Sequence, residues 1–141
     1  MRRALPLLVG VGLLLAAAGG VPLLVGGDDT AETPTGGPMA RVVVPDLSAE
    51  AGRGRGLFDD ACAVCHGENA AGRDGIAPPL VHVIYEPGHH ADGAFFLAAA
   101  RGVRQHHWSF GDMPAVPDVT PQEVAAIIAY VRALQRANGI Y

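Results

Sequence analysis

The chain has only two cysteines, and both fall in one short run with a histidine directly behind them: Cys62-Ala-Val-Cys65-His66. Three chemistries use such a run: a redox dithiol, half of a zinc site, or the attachment point of a covalently bound haem. A structural zinc needs four ligands at workable spacing. His66 abuts Cys65, so it cannot easily join both cysteines around one tetrahedral ion, and His82 has no partner three to five residues on. A redox dithiol of the thioredoxin kind belongs at a strand-to-helix junction, and no convincing strand pair can be read here. The haem reading meets no such conflict. Two cysteines three apart can each add to one vinyl group on the same porphyrin edge. The next residue can then bring its imidazole under the iron as proximal ligand.

The ends of the chain limit where such a protein works. Arg2 and Arg3 precede 24 uncharged residues, Ala4 to Gly27, before Asp28 and Asp29. A basic start followed by an apolar run is an export signal. Ala16-Ala17-Ala18 offers a cleavage site, yet the apolar stretch is also long enough to span a bilayer, since roughly 20 residues suffice. Residues 1–26 are therefore read as a signal peptide or an uncleaved transmembrane anchor. Either version delivers the following domain to the outer face of the membrane, as a periplasmic or anchored protein. The formal charge of −4, with ten arginines and no lysine, lacks the clustered basic surface that nucleic-acid binding needs.

Residues 27–47 are rich in Gly, Pro, Thr and acid with no sustained period, the composition of a flexible linker. As a free tether of that length they would reach about 25 Å. The domain is then 48–141, expected to be all-α with three main helices. Ser48 reads as the N-cap of a helix running to about Cys62, which must absorb Gly52, Gly54 and Gly56 at roughly 1 kcal/mol each relative to Ala. Glycines survive at that cost where something packs close to the helix backbone. A short middle helix is expected in "DGAFFLAAARGV", capped by Asp92 and ended by Gly102. The last opens on Thr120-Pro121-Gln122-Glu123, a capping box with proline in the first turn. Val124, Ile127, Ile128, Val131 and Leu134 follow at the spacing of one helical face, and Asn138-Gly139 supplies the stop. Loops this long in a small domain need something to wrap around.

With these pieces in view, the chain resembles the class I c-type cytochromes over most of residues 49–135. "GRGLFDDACAVCHG" is similar to the family's N-terminal helix, with Gly54 and Phe58 at its contact positions, and "EVAAIIAYVRALQ" to its C-terminal helix, with Tyr130 at the aromatic position. The resemblance implies that the two helices cross closely and that Gly54 admits the Tyr130 ring. It implies one covalent haem c on Cys62 and Cys65, and His66 as an iron ligand. "APPL" resembles the loop whose carbonyl, here Pro78, accepts the proximal histidine's Nδ1–H, with Leu80 packed on the haem. "FGDMPAV" resembles the loop carrying the sixth ligand, here Met113. The stretch from Val81 to Pro114 is also similar to a subgroup of small bacterial cytochromes.

His106 and His107 compete with Met113 for the iron, and a histidine there would lower the potential. The pairs His89-His90 and His106-His107, with His82, raise a second metal, copper or zinc, although adjacent residues seldom point at one ion. Trp108 and Phe110 suit haem packing or propionate contacts; Arg101 and Arg104 pair with propionates or lie solvated. Glu68, Asp74 and Asp92 look like surface charge. No carboxylate pair or nucleophile–base set accompanies the haem, so a catalytic role is not expected. Iron held by His66 and Met113 has no open position, which favours one-electron transfer with an oxidase or reductase partner. The alternative is a haem-based sensor or accessory domain that handles a ligand or a second, histidine-bound metal.

Overall fold

The computed structural model describes residues 36–141, so the expected signal or anchor segment lies outside the described residues. Among the described residues there are four α-helices and no strand: α1 Ala49–Ala61, α2 Ala63–His66, α3 Asp92–Arg101 and α4 Pro121–Ala137, with 3-10 turns at Glu68–Ala70 and Val83–Tyr85. None of these helices is long and apolar enough to cross a membrane. Two isolated bridges, Arg73 to Ala77 and Val103 to Met113, pin the long loops between α2 and α4.

The helices begin where the side chains can satisfy the free backbone donors. The Ser48 hydroxyl accepts from the Ala51 N–H at 3.2 Å and starts α1. At α4 the Thr120 hydroxyl accepts from the Glu123 N–H at 3.3 Å, and the Glu123 carboxylate accepts from the Thr120 N–H at 2.8 Å. Both halves of the capping box are formed, with Pro121 in the first turn. These bonds to Thr120 hold the Glu123 carboxyl below its ordinary value of 4.5. Its stabilising contribution is therefore complete above that value and is lost as the pH falls through the lower folded one. Thr120→Ala should cost about 1 kcal/mol in a denaturant titration at neutral pH. Only the part of that cost carried by the Thr120 hydroxyl donating to Glu123 Oε2 at 2.8 Å should fall away as Glu123 is protonated; the part carried by the hydroxyl accepting from the Glu123 N–H should persist at low pH.

The core lies between α1 and α4. The α4 face read from the sequence is buried: Val124, Ile127, Ile128, Val131 and Leu134. Ala51, Gly54 and Phe58 form the facing stripe of α1. Gly54 works differently from the expectation. A Cβ built on it would collide with the Ala126 carbonyl oxygen and come within 2.5 Å of the carbonyl carbon, so the close approach is helix backbone on helix backbone. Tyr130 sits one turn further along, edge-on to Phe58 with ring centroids 5.6 Å apart, and its hydroxyl donates to Asn69 Oδ1 at 3.1 Å. Nothing in the structure explains Gly52 or Gly56, whose Cβ positions are open.

Two other expectations are corrected. Asp92 is the first residue of α3, not its cap; the N-cap is Ala91, with no side-chain bond. Asp92 instead accepts from Arg132 Nε at 2.8 Å, so it is more than surface charge. Residues 36–47 are not a free tether. The N–H groups of Gly36, Met39 and Ala40 donate to the carbonyls of Asp74 and Ala71, and Val43 exchanges two 2.9 Å bonds with the Asn138 side chain. Val42 and Leu47 pack against the core. Extended backbone with its donors satisfied and two apolar side chains docked is part of the domain, so the reach of a free 27–47 segment does not apply.

Candidate functional site

The cysteine run sits where α1 ends and α2 turns back. Cys62 is half-buried and Cys65 exposed, and the two thiols are not joined. Burial first, then the neighbouring Cys65, pushes the Cys62 thiol up to about 11. A redox dithiol needs a thiolate near neutral pH, so this environment argues against that reading. His66 is the last residue of α2 and is buried. Its Nδ1–H donates to the Pro78 carbonyl at 2.9 Å, across a loop folded tightly enough that the Gly72 N–H reaches the His66 carbonyl at 2.7 Å. Burial lowers the His66 imidazole below its usual value, with the Pro78 bond opposing. The ring is therefore neutral at pH 7 with Nε2 free to bind a metal, and the Nδ1 bond fixes its orientation.

His66 opens into a cleft of about 690 Å³ that also takes in Cys62, Cys65, Pro78, Leu80 and Met113. Met113 is placed by its backbone: it exchanges two 2.9 Å bonds with Val103, beside Gly102. Gly102 has φ +73°, and a Cβ there would strike the Met113 carbonyl, so the loop carrying Met113 can close only over a glycine. α3 supplies another wall. None of its residues is fully buried, because Phe95, Leu97 and Ala98 face the cleft.

The cleft fits a flat, largely apolar macrocycle with polar edges. Leu80, Phe95, Leu97, Val103 and Phe110 line it, an apolar surface that water would otherwise cover. Among the residues lining it, the Trp108 indole N–H is buried with no hydrogen-bond partner. Burial raises the nearby Tyr85 phenol; the Trp108 indole offsets this in part without reaching hydrogen-bond geometry. Trp108 and Phe110 stack at 5.7 Å with ring planes 16° apart and form the end wall. Cys62, Cys65 and His66 on one wall, apolar sides and an unpaired donor in the lining match the needs of haem with its propionates.

Arg132 is the organising residue that the sequence reading missed. Its side chain lies 5.0 Å over the Phe95 ring. It donates to Asp92, to the carbonyls of Tyr85 and His90 and to Gln135, at 2.6–2.8 Å. Gln135 in turn donates to the carbonyls of Leu80 and Tyr85. One buried guanidinium thus ties α4 to α3 and to the loop walling the cleft. A charged residue on an otherwise apolar helical face was the available signal.

The histidines separate into two groups. His82 accepts from the Ile84 N–H and lies edge-on to Trp108 at 5.2 Å. His89, His90, His106 and His107 gather on the rim, with His106 and His107 exposed. Desolvation first, then repulsion from His106, His89 and His90, holds the His107 imidazole below its usual value.

None of the curated proteins compared matches this chain. The family model described as Cytochrome c matches residues 51–135, more than half of the 141 residues. The cysteine run, the crossing of α1 and α4 and the haem-sized cleft all lie within that match, so the chain belongs to the cytochrome c family, whose members bind covalent haem c and carry electrons.

Proposed function

We propose that the protein is a mono-haem one-electron carrier on the outer face of a bacterial membrane, with iron held between His66 and Met113. The observation that carries this reading is the His66–Pro78 bond at 2.9 Å on the wall of a cleft that Met113 also lines. Haem bound there supplies a one-electron couple. His66, locked by Pro78, offers Nε2 and cannot swing away. Met113, seated by Val103 and Gly102, offers a neutral, soft thioether that favours the reduced metal. Leu80, Phe95 and Trp108 exclude water, which acts in the same direction by disfavouring the more charged state. If His66 and Met113 both held the iron, no position would remain open on it for substrate chemistry. An oxidase or reductase partner is the matching acceptor or donor. The outer location rests on Arg2, Arg3 and the apolar run 4–27, and membrane fractionation tests it.

The test is the oxidised visible spectrum together with Met113 variants. The unaltered protein should show the weak far-red sulfur-to-iron band of methionine ligation. Met113→His should lower the potential by on the order of a hundred millivolts or more. Met113→Ala should let carbon monoxide bind at low concentration; if His106 or His107 substitutes for it, the triple variant of Met113, His106 and His107 restores that access. An unchanged spectrum and potential in Met113→Ala would overturn the assignment and make a histidine of 106–107 the ligand.

A further inference from the structure

The sequence made four of the six histidines look ill-suited to one ion, because they come as adjacent pairs. The fold removes that objection. The N–H groups of His89 and His90 both donate to the Glu86 carbonyl, at 3.0 and 2.8 Å, in a turn that brings the two rings within 4.8 Å. His107 comes from the facing loop, which is closed by Gln105 N–H on Asp112 Oδ1 and Gly111 N–H on Gln105 Oε1, both at 2.9 Å. That closure turns Trp108 and Phe110 into the cleft wall and leaves His106 and His107 on the rim.

We propose that His89, His90 and His107 form a second metal site, for Cu2+ or Zn2+, on the rim of the haem cleft. One potential ligand nitrogen from each lies within 4.8 Å of those of the other two. His89 Nε2 and His107 Nε2 are 3.2 Å apart. Two imidazoles on one tetrahedral ion, with metal–nitrogen bonds of 2.0–2.1 Å, stand about 3.3–3.4 Å apart. A single proton can bridge that pair of nitrogens, and an ion can take its place. His90 donates Nδ1–H to the Ile84 carbonyl at 2.6 Å, which fixes its tautomer and leaves Nε2 as the ligand atom. The backbone beneath it is held by Arg132 Nη2 on the His90 carbonyl at 2.6 Å. His106, whose ring centroid is 4.3 Å from that of His107, is turned by Nδ1–H on the Arg104 carbonyl and is not part of the converging set. Neutral imidazoles with no thiolate suit copper and zinc, and in such a set Cu2+ binds more tightly than Zn2+.

The site rests on the reading that His107 does not ligate the haem iron, and the experiment keeps the two apart. Purified holoprotein, stripped with a chelator and oxidised, is titrated with Cu2+ alone and with Zn2+ alone. One ion per chain is expected, with nitrogen ligation in the Cu2+ paramagnetic resonance spectrum. The paired substitution His89→Gln, His107→Gln should weaken binding at least tenfold while leaving the haem spectrum intact. His82→Gln should bind as the unaltered protein does. No stoichiometric binding, or binding that the paired variant leaves unchanged (an adventitious ion only), would overturn the site. So would a changed iron spectrum in His107→Gln, since that histidine would then serve the haem.

Discussion

Replacing both Cys62 and Cys65 with alanine should give a protein whose pigment passes entirely into acid-acetone, whereas the unaltered protein should keep its pigment in the precipitate. Each thiol adds across one vinyl group, so the pair contributes two thioether bonds that no solvent breaks. Everything else that holds the macrocycle is reversible. Acid would protonate His66 and free any iron it held, and the organic solvent would remove the apolar advantage of the cleft walls. The chain itself should suffer too. Without the covalent link, the cleft of about 690 Å³ is filled only as tightly as reversible binding allows. A variant that retains some haem should therefore melt at a temperature that depends on added haem. Pigment that already extracts from the unaltered protein would sink the claim of covalent attachment.

Gly54→Val should be the most damaging single substitution in α1. The new Cβ meets the carbonyl group of Ala126 and lies 3.1 Å from the Ile127 nitrogen, all of them backbone atoms inside α4. No rotamer change relieves that collision, so the helices must part and uncover Phe58 and Tyr130, both fully buried. Overpacking costs about 1–3 kcal/mol where side chains can adjust and more where they cannot. At least about 3 kcal/mol is expected here. For a domain near 100 residues that is a melting shift on the order of 10 °C or more. Gly52 supplies the control, because a Cβ there meets nothing within 4 Å. Gly52→Ala should stabilise the protein by about 0.5–1 kcal/mol through helix propensity, and Gly54→Ala should destabilise it. Effects of the same sign at both positions would mean that the crossing lies elsewhere on α1.

Local features were legible because their causes are local. The run Cys62–His66 states its chemistry in five residues. Ser48 and Thr120 cap within three residues of themselves, and the buried face of α4 repeats at the helical period. What needed the tertiary structure joins residues far apart in sequence. Gly54 was singled out for a close approach, but only the crossing showed that the neighbour is the Ala126 backbone and not the Tyr130 ring. Residues 36–47 read as a tether because Gly and Pro composition cannot reveal acceptors at Ala71, Asp74 and Asn138. Arg132 was missed because its acceptors on Tyr85, His90 and Asp92 lie at least 40 residues away in sequence. The rim histidines changed most. Adjacent residues in an extended or helical segment diverge, and only a turn on the Glu86 carbonyl facing the closed 105–112 loop makes their nitrogens converge. The sequence alone specified the cofactor family and the caps at Ser48 and Thr120, because bonding and capping act over a few residues. The partners of Gly54, Arg132 and the histidines were decided by packing, because convergence is a property of the whole folded chain.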